Sequence, residues 1–195
     1  MIGKPEYLTA DHSQFLPPER ADRLWSRELG GGSLLDLGVY PINFAARLFG
    51  LPTSLVARGT LTGVNDGPFG DGAGDGGVDS QVSIIFDHTD GQRSTMQACM
   101  TQLGPTDATI LGTTGSIVID GPFYQQSSFR VLSPSGEVLH SFGSAVADAG
   151  KVFEFFEAEA RIQAGENEST IMPLDETVAI MGVMDSVREQ IGYNY

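Results

Sequence analysis

The sequence predicts an α+β protein: an open, mostly antiparallel β-sheet with helices covering one face. Three observations predict this. Beyond residue 77, short runs alternate apolar and polar side chains across tight turns, the pattern of hairpins. Two helical patterns are held back to the C-terminal end. One largely apolar helical run, around residue 40, lies between two strand-like runs. Strands gathered together rather than alternating with helices argue against a parallel α/β sheet.

Residues 6–15 are strand-like, and Pro17-Pro18 ends the run. A polar stretch leads to Gly30-Gly31-Gly32. Over residues 33–49, Leu34, Leu35, Leu37, Tyr40, Phe44, Ala45 and Leu48 fit one buried helix, stopped by Gly50. Residues 55–61 form a strand. Residues 63–77 hold seven glycines with Asp66, Asp71 and Asp75, a long solvated loop. Val82, Ile84 and Phe86 then alternate with Gln81 and Ser83, and Met96, Ala98 and Met100 answer them across Asp90-Gly91. The same logic repeats over 109–119 and 129–142. Turns this short make the pairs antiparallel, since parallel neighbours need a crossover of a dozen residues.

Two helices close the chain. Residues 151–164 carry Val152, Phe155, Phe156 and Ile162 on one side. Asp175 is placed to cap the second, where Thr177, Ile180, Met181, Met184, Val187 and Ile191 form a stripe ending at Gly192. Met96, Met100, Met181 and Met184 are expected in the core.

Composition bounds the function. The 195 residues are 41% apolar and 9% aromatic, enough for the core of one domain. A net charge of −14 opposes binding to nucleic acid or to anionic lipid. No apolar run approaches the ~20 residues of a bilayer span, and residues 1–5 lack a signal peptide's apolar stretch, so a cytoplasmic location is expected. Cys99 stands alone, which removes an intrachain disulfide and a Cys-rich zinc site. His12, His88 and His140 have no partner at ligand spacing and are expected at ordinary strand or surface positions, with no metal. The spelling Gly72-Ala73-Gly74-Asp75-Gly76-Gly77 matches a dinucleotide turn, but a loop precedes it and a strand follows. It is not expected to hold a cofactor.

One segment breaks local rules. Gly30-Gly31-Gly32-Ser33-Leu34-Leu35-Asp36-Leu37-Gly38-Val39-Tyr40-Pro41 opens the apolar helix. Inside it Gly38 costs about 1 kcal/mol and Pro41 up to about 3 kcal/mol relative to Ala. Asp36 and Tyr40, four apart, stack on one face one turn from the N-terminus, where the helix dipole favours a carboxylate. Such inconsistency tends to mark functional sites. Equally, Asp36 could only cap the helix and Tyr40 only fill the core; residue physics leaves both readings open.

The run from Gly30 to Tyr40 resembles the GGG-x-L-x-D-x-G-x-(H/Y) signature of the glucose-fructose oxidoreductase/inositol dehydrogenase (Gfo/Idh/MocA) family, in the Tyr variant of its dihydrodiol-dehydrogenase and sugar-oxidoreductase branches. Gly77-Val78-Asp79, Asp90-Gly91, residues 112–117 and residues 185–192 fit as well. The resemblance spans essentially the whole chain and concerns only the family's C-terminal domain. An N-terminal Rossmann domain and its Glu-Lys-Pro motif with a catalytic Lys are expected to be missing.

The resemblance implies that Tyr40 exchanges the proton of a substrate hydroxyl or carbonyl while hydride passes to or from NAD or NADP. Asp36 would orient the substrate or that Lys. Arg23, Trp25, Gly31 and Gly32 would line the substrate pocket, the glycines admitting a flat ring. Cofactor-binding residues are expected to be absent from this chain. A phenol titrates near 10, so ionising one at pH 7 costs about 4 kcal/mol; a nearby carboxylate raises that cost and only a cation lowers it.

The implied function is the substrate domain of an NAD(P)-dependent oxidoreductase for CH–OH groups of a sugar, polyol or dihydrodiol, inactive without its cofactor domain. The implied partners are that small-molecule substrate, its own Rossmann domain and a second copy, a homodimer through the open sheet face. The alternative is a stand-alone, non-catalytic binding or dimerisation module descended from such an enzyme.

Overall fold

A computed structural model of the chain describes residues 1–62, 77–143 and 151–193. Among the described residues eight strands form one sheet: β1 (Pro5–Ser13), β2 (Ser54–Thr62), β3 (Val78–Asp87), β4 (Arg93–Cys99), β5 (Ala108–Gly112), β6 (Gly115–Ile119), β7 (Phe129–Leu132) and β8 (Val138–Phe142). Their spatial order is β2-β3-β4-β1-β5-β6-β7-β8. All neighbours are antiparallel except β1 and β4, which run parallel with Tyr7 opposite Arg93 and Ser13 opposite Cys99. The three predicted hairpins are present. The chain's first strand thus lies near the middle of the sheet, a placement that alternation along one strand does not encode.

Period-two burial gives the sheet an inside and an outside. Leu8, Ala10 and His12 of β1, Val82, Ile84 and Phe86 of β3, and Met96 and Ala98 of β4 face the core. Helices α1 (Val39–Phe49) and α3 (Leu174–Ile191) cover that face, with a π turn, Leu34–Gly38, running directly into α1. Val56, Ile85 and Leu111 stand exposed on the other face. Gln190 of α3 donates to the Leu55 carbonyl at 3.0 Å and accepts from Ala57 N–H at 2.8 Å. Edge strand β2 thereby finds a side-chain amide in place of a missing neighbour.

Four expectations are corrected. The run 33–49 is not one α-helix, because Leu34–Gly38 widens into a π turn. Asp175 does not cap α3; Pro173 holds the N-cap position and Asp175 lies in the first turn. The α3 stripe narrows to Ile180, Met184 and Val187 with half-buried Ile191, leaving Met181 exposed. Helix α2 (Val152–Gln163) has no buried residue, and Phe155 is 73% exposed. Most of the Gly/Asp segment, with its dinucleotide-like spelling, lies outside the described residues. No helix among the described residues is long and apolar enough to cross a membrane.

Candidate active site

The site grows from a backbone conflict. In a continuous α-helix the Leu37 carbonyl would accept from the N–H of residue 41, and Pro41 has none. The proline ring also crowds that carbonyl, and the wider π turn relieves it. Besides Val39 N–H, that carbonyl accepts from Nδ1–H of His12 on β1, at 3.0 Å. A carbonyl can only accept, so the imidazole carries its proton on Nδ1. Its Nε2 then accepts from the Gln14 amide at 2.8 Å. With both nitrogens committed to the neutral form, burial holds His12 below the usual imidazole range, although Leu37, Asp11 and Asp36 pull the other way.

The start of the turn is fixed from β3. Buried Asp79 accepts from Leu34 N–H at 2.6 Å and from the Ser33 hydroxyl at 2.9 Å. Desolvation pushes its carboxyl up to about 6 against those hydrogen bonds and the nearby Arg188. Gly32, at φ +112°, passes so close that a Cβ there would collide with the Asp79 carboxylate. At Gly31 the collision would be with the Leu24 carbonyl. Both glycines therefore admit the close approach of protein groups on the Cβ side.

Tyr40 emerges from this platform 40% exposed. Its ring meets His12 edge-on at 5.0 Å and Tyr124 at 4.4 Å, and Tyr124 lies 4.6 Å from His12. Burial raises the Tyr124 phenol, Tyr40 adds to the effect, and a hydrogen bond with Gln14 lowers it. Beside the pair opens a cleft of about 510 Å³ walled by Tyr40, Phe44, Phe123 and Tyr124, with Asn43 and Arg47 along its α1 side. Asp36 is half-buried and forms an ion pair with the guanidinium of Arg23. The motif thus lacks a cation of its own, but the fold brings one to its carboxylate.

Residues 1–118 match the GFO/IDH/MocA C-terminal domain. The chain belongs to this family. Trans-1,2-dihydrobenzene-1,2-diol dehydrogenase of Xenopus laevis is 26% identical over 208 residues, aligned with 100% of this chain and 56% of its own length. The scyllo-inositol 2-dehydrogenase (NADP(+)) of Bacillus subtilis (strain 168) is 27% identical over 203 residues with the same two coverages. An aldose-aldose oxidoreductase from Caulobacter crescentus, solved with glycerol, shares the fold at a TM-score of 0.78 and 21% identity, over 98% of this chain and 54% of that one. The chain spans about half the length of the curated relatives it matches.

Within this GFO/IDH/MocA domain the residues expected at the site separate. Tyr40 faces the cleft, and Asp36 and Arg23 pair at the surface. Trp25 does not line the cleft; it is buried, its indole N–H donating to the Leu16 carbonyl at 2.9 Å. Gly31 and Gly32 are buried behind the motif. His12 holds the strand position expected of it, on β1, while His88 is buried just past the end of β3 and not at the surface. His12 lies under the site, and buried His88 ties the Gly50 carbonyl to the Ser94 hydroxyl at 3.0 and 2.9 Å. His140 is exposed on β8.

His12, Gln14, Asp79 and Tyr124 were missed as site residues. A signal existed for His12, since Leu8, Ala10 and His12 share one face of β1. Among the described residues no group of side chains could hold a metal ion. Nor does a glycine-rich turn among them join a strand directly to a helix, as a pyrophosphate cradle requires.

Proposed function

We propose that this chain is the substrate and oligomerisation half of an NAD(P)-dependent oxidoreductase acting on a CH–OH group of a sugar, polyol or dihydrodiol. It is inactive until a nucleotide-binding domain joins it. The observation that carries the reading is the placement of the Tyr40 phenol, at a cleft and not in the hydrocarbon interior. The curated relatives, named as dehydrogenases of a dihydrodiol and of an inositol, support the reaction class.

A nicotinamide brought by the joining domain supplies the hydride acceptor or donor. The proton is this chain's share. Tyr40 takes it from a substrate hydroxyl during oxidation, or returns it to a carbonyl during reduction. The rings of His12 and Tyr124 fix the phenol's direction. Arg23 offsets the charge of Asp36, so the carboxylate adds less to the cost of phenolate nearby. Trp25, Gly31 and Gly32 act from behind, holding the turn that carries the pair.

The test is a two-domain version with a nucleotide-binding domain joined upstream, assayed on polyols, aldoses and cyclic diols with NAD and NADP. Turnover is expected, and Tyr40→Phe is expected to lower kcat by about 10²–10³ with KM little changed. The isolated chain should not enhance NAD(P)H fluorescence. A two-domain version silent on the whole panel, or unaffected by Tyr40→Phe, would overturn the reading.

A further inference from the structure

The cleft beside Tyr40 has a polarity gradient that the redox chemistry does not use. Tyr40, Asn43 and Arg47 stand at i, i+3 and i+7 on α1 and so share one helical face, all three lining the cleft. Seven residues of helix set the Cα atoms of Tyr40 and Arg47 about 10 Å apart along the axis. Between them the wall is aromatic: Tyr40–Tyr124 at 4.4 Å, Tyr124–Phe123 at 5.7 Å and Phe123–Phe44 at 5.6 Å form an unbroken series of rings. Asn43 spends its amide on a weak contact with the Met172 sulfur at 3.7 Å.

Arg47 closes the far end. Its only partners are the two carboxylate oxygens of Glu176 on α3, at 3.3 and 3.5 Å among the described residues, and its side chain is 51% exposed. A pair this long and this wet is worth little. A ligand carboxylate or phosphate offers the guanidinium the planar, two-point match that Glu176 does not make.

We infer that the cleft takes a substrate with a ring stacked on the Phe44–Phe123–Tyr124 wall and an acidic group at the end remote from the reacting carbon, held by Arg47. The inference rests on the cleft being the substrate site and adds a substrate class to it: an acidic glycoside or an acidic ring-bearing diol, preferred over a neutral polyol. Arg47 sits too far along α1 to touch the carbon at Tyr40. It is a specificity residue.

The test is binding to the chain itself, by calorimetry and by ring-proton shifts of Tyr40 and Tyr124. The probes are 4-carboxyphenyl β-D-glucopyranoside and its neutral parent, phenyl β-D-glucopyranoside. The carboxylated probe is expected to bind about tenfold tighter, with Arg47→Gln removing that preference while leaving affinity for the neutral probe unchanged. That unchanged affinity also shows that the variant is folded. Tyr124→Ala should weaken both probes alike.

Equal binding of the two probes, a preference that survives R47Q, or no binding of either at millimolar concentration would overturn the inference. These outcomes are separate from the redox reading. A two-domain version without turnover but with the preference intact would count against the oxidoreductase and not against the acidic subsite.

Discussion

Two buried ionisable side chains flank the π turn, Asp79 at its start and His12 at its end, and desolvation moves them in opposite directions. Asp79 is raised to about 6, so in the folded state it holds its proton where the unfolded chain, with an ordinary value of 3.8, has released it. Its contribution to stability is therefore complete below about pH 4 and is lost as pH rises through 6, about 3 kcal/mol in all. Asp79→Asn keeps an acceptor for Leu34 N–H and cannot ionise. Urea unfolding of both proteins is expected to show the variant gaining on the wild type between pH 4.5 and 7.5; a gap that does not move with pH would rule out a penalised carboxylate. His12 obeys the reverse sign. Its lowered value makes its contribution complete above 6.5 and lost as pH falls below that.

At the scale of elements, the π turn joins Pro41, Leu37 and His12 into one device. Pro41 removes a donor, and the Leu37 carbonyl accepts from Val39 N–H within the turn and from a strand side chain, His12. His12→Phe keeps an aromatic ring beside Tyr40 and Tyr124 but takes a buried donor from that carbonyl and an acceptor from the Gln14 amide. A loss of about 2 kcal/mol in urea unfolding at pH 7.5 is expected; unchanged stability would mean that the turn satisfies its own carbonyl. Much of the element level was legible in advance. The Asp90-Gly91 hairpin and the strand alternation are local, and the three glycines with Gly38 and Pro41 announced a helix under constraint. The identity of the constraint was not legible. His12 lies 25 residues from Leu37 and Asp79 lies 45 from Leu34, separations at which no local pattern records a partner.

At the scale of the whole molecule, one sheet face is left uncovered among the described residues. Helices bury the face of Leu8, Ile84 and Phe86, while Val56 and Ile85, paired across β2 and β3, stand 54% and 43% exposed beside a shallow hollow that also includes Thr9, Thr95 and Gln97. A contiguous, partly apolar sheet face of this kind suits a second copy. Light scattering at micromolar concentration is expected to give a dimer, and the double variant Val56→Asp, Ile85→Asp a folded monomer. A monomeric wild type would refute the dimer. The two expected partner surfaces then lie on opposite sides of the sheet, one for a copy and one, around Tyr40, for the substrate and its cofactor domain.

The sequence by itself determined the α+β class, the hairpins, the strand faces and the position of the Asp36–Tyr40 pair behind three glycines, because period, turn chemistry and motif spacing are all properties of neighbours along the chain. Only the tertiary structure decided that β1 inserts between β4 and β5, that Arg23 neutralises Asp36, and that His12 and Tyr124 frame the phenol. Each of these joins groups distant in sequence. The free energy that selects them comes from burying apolar faces and from satisfying polar groups inside them, and both depend on where the whole sheet closes against its helices.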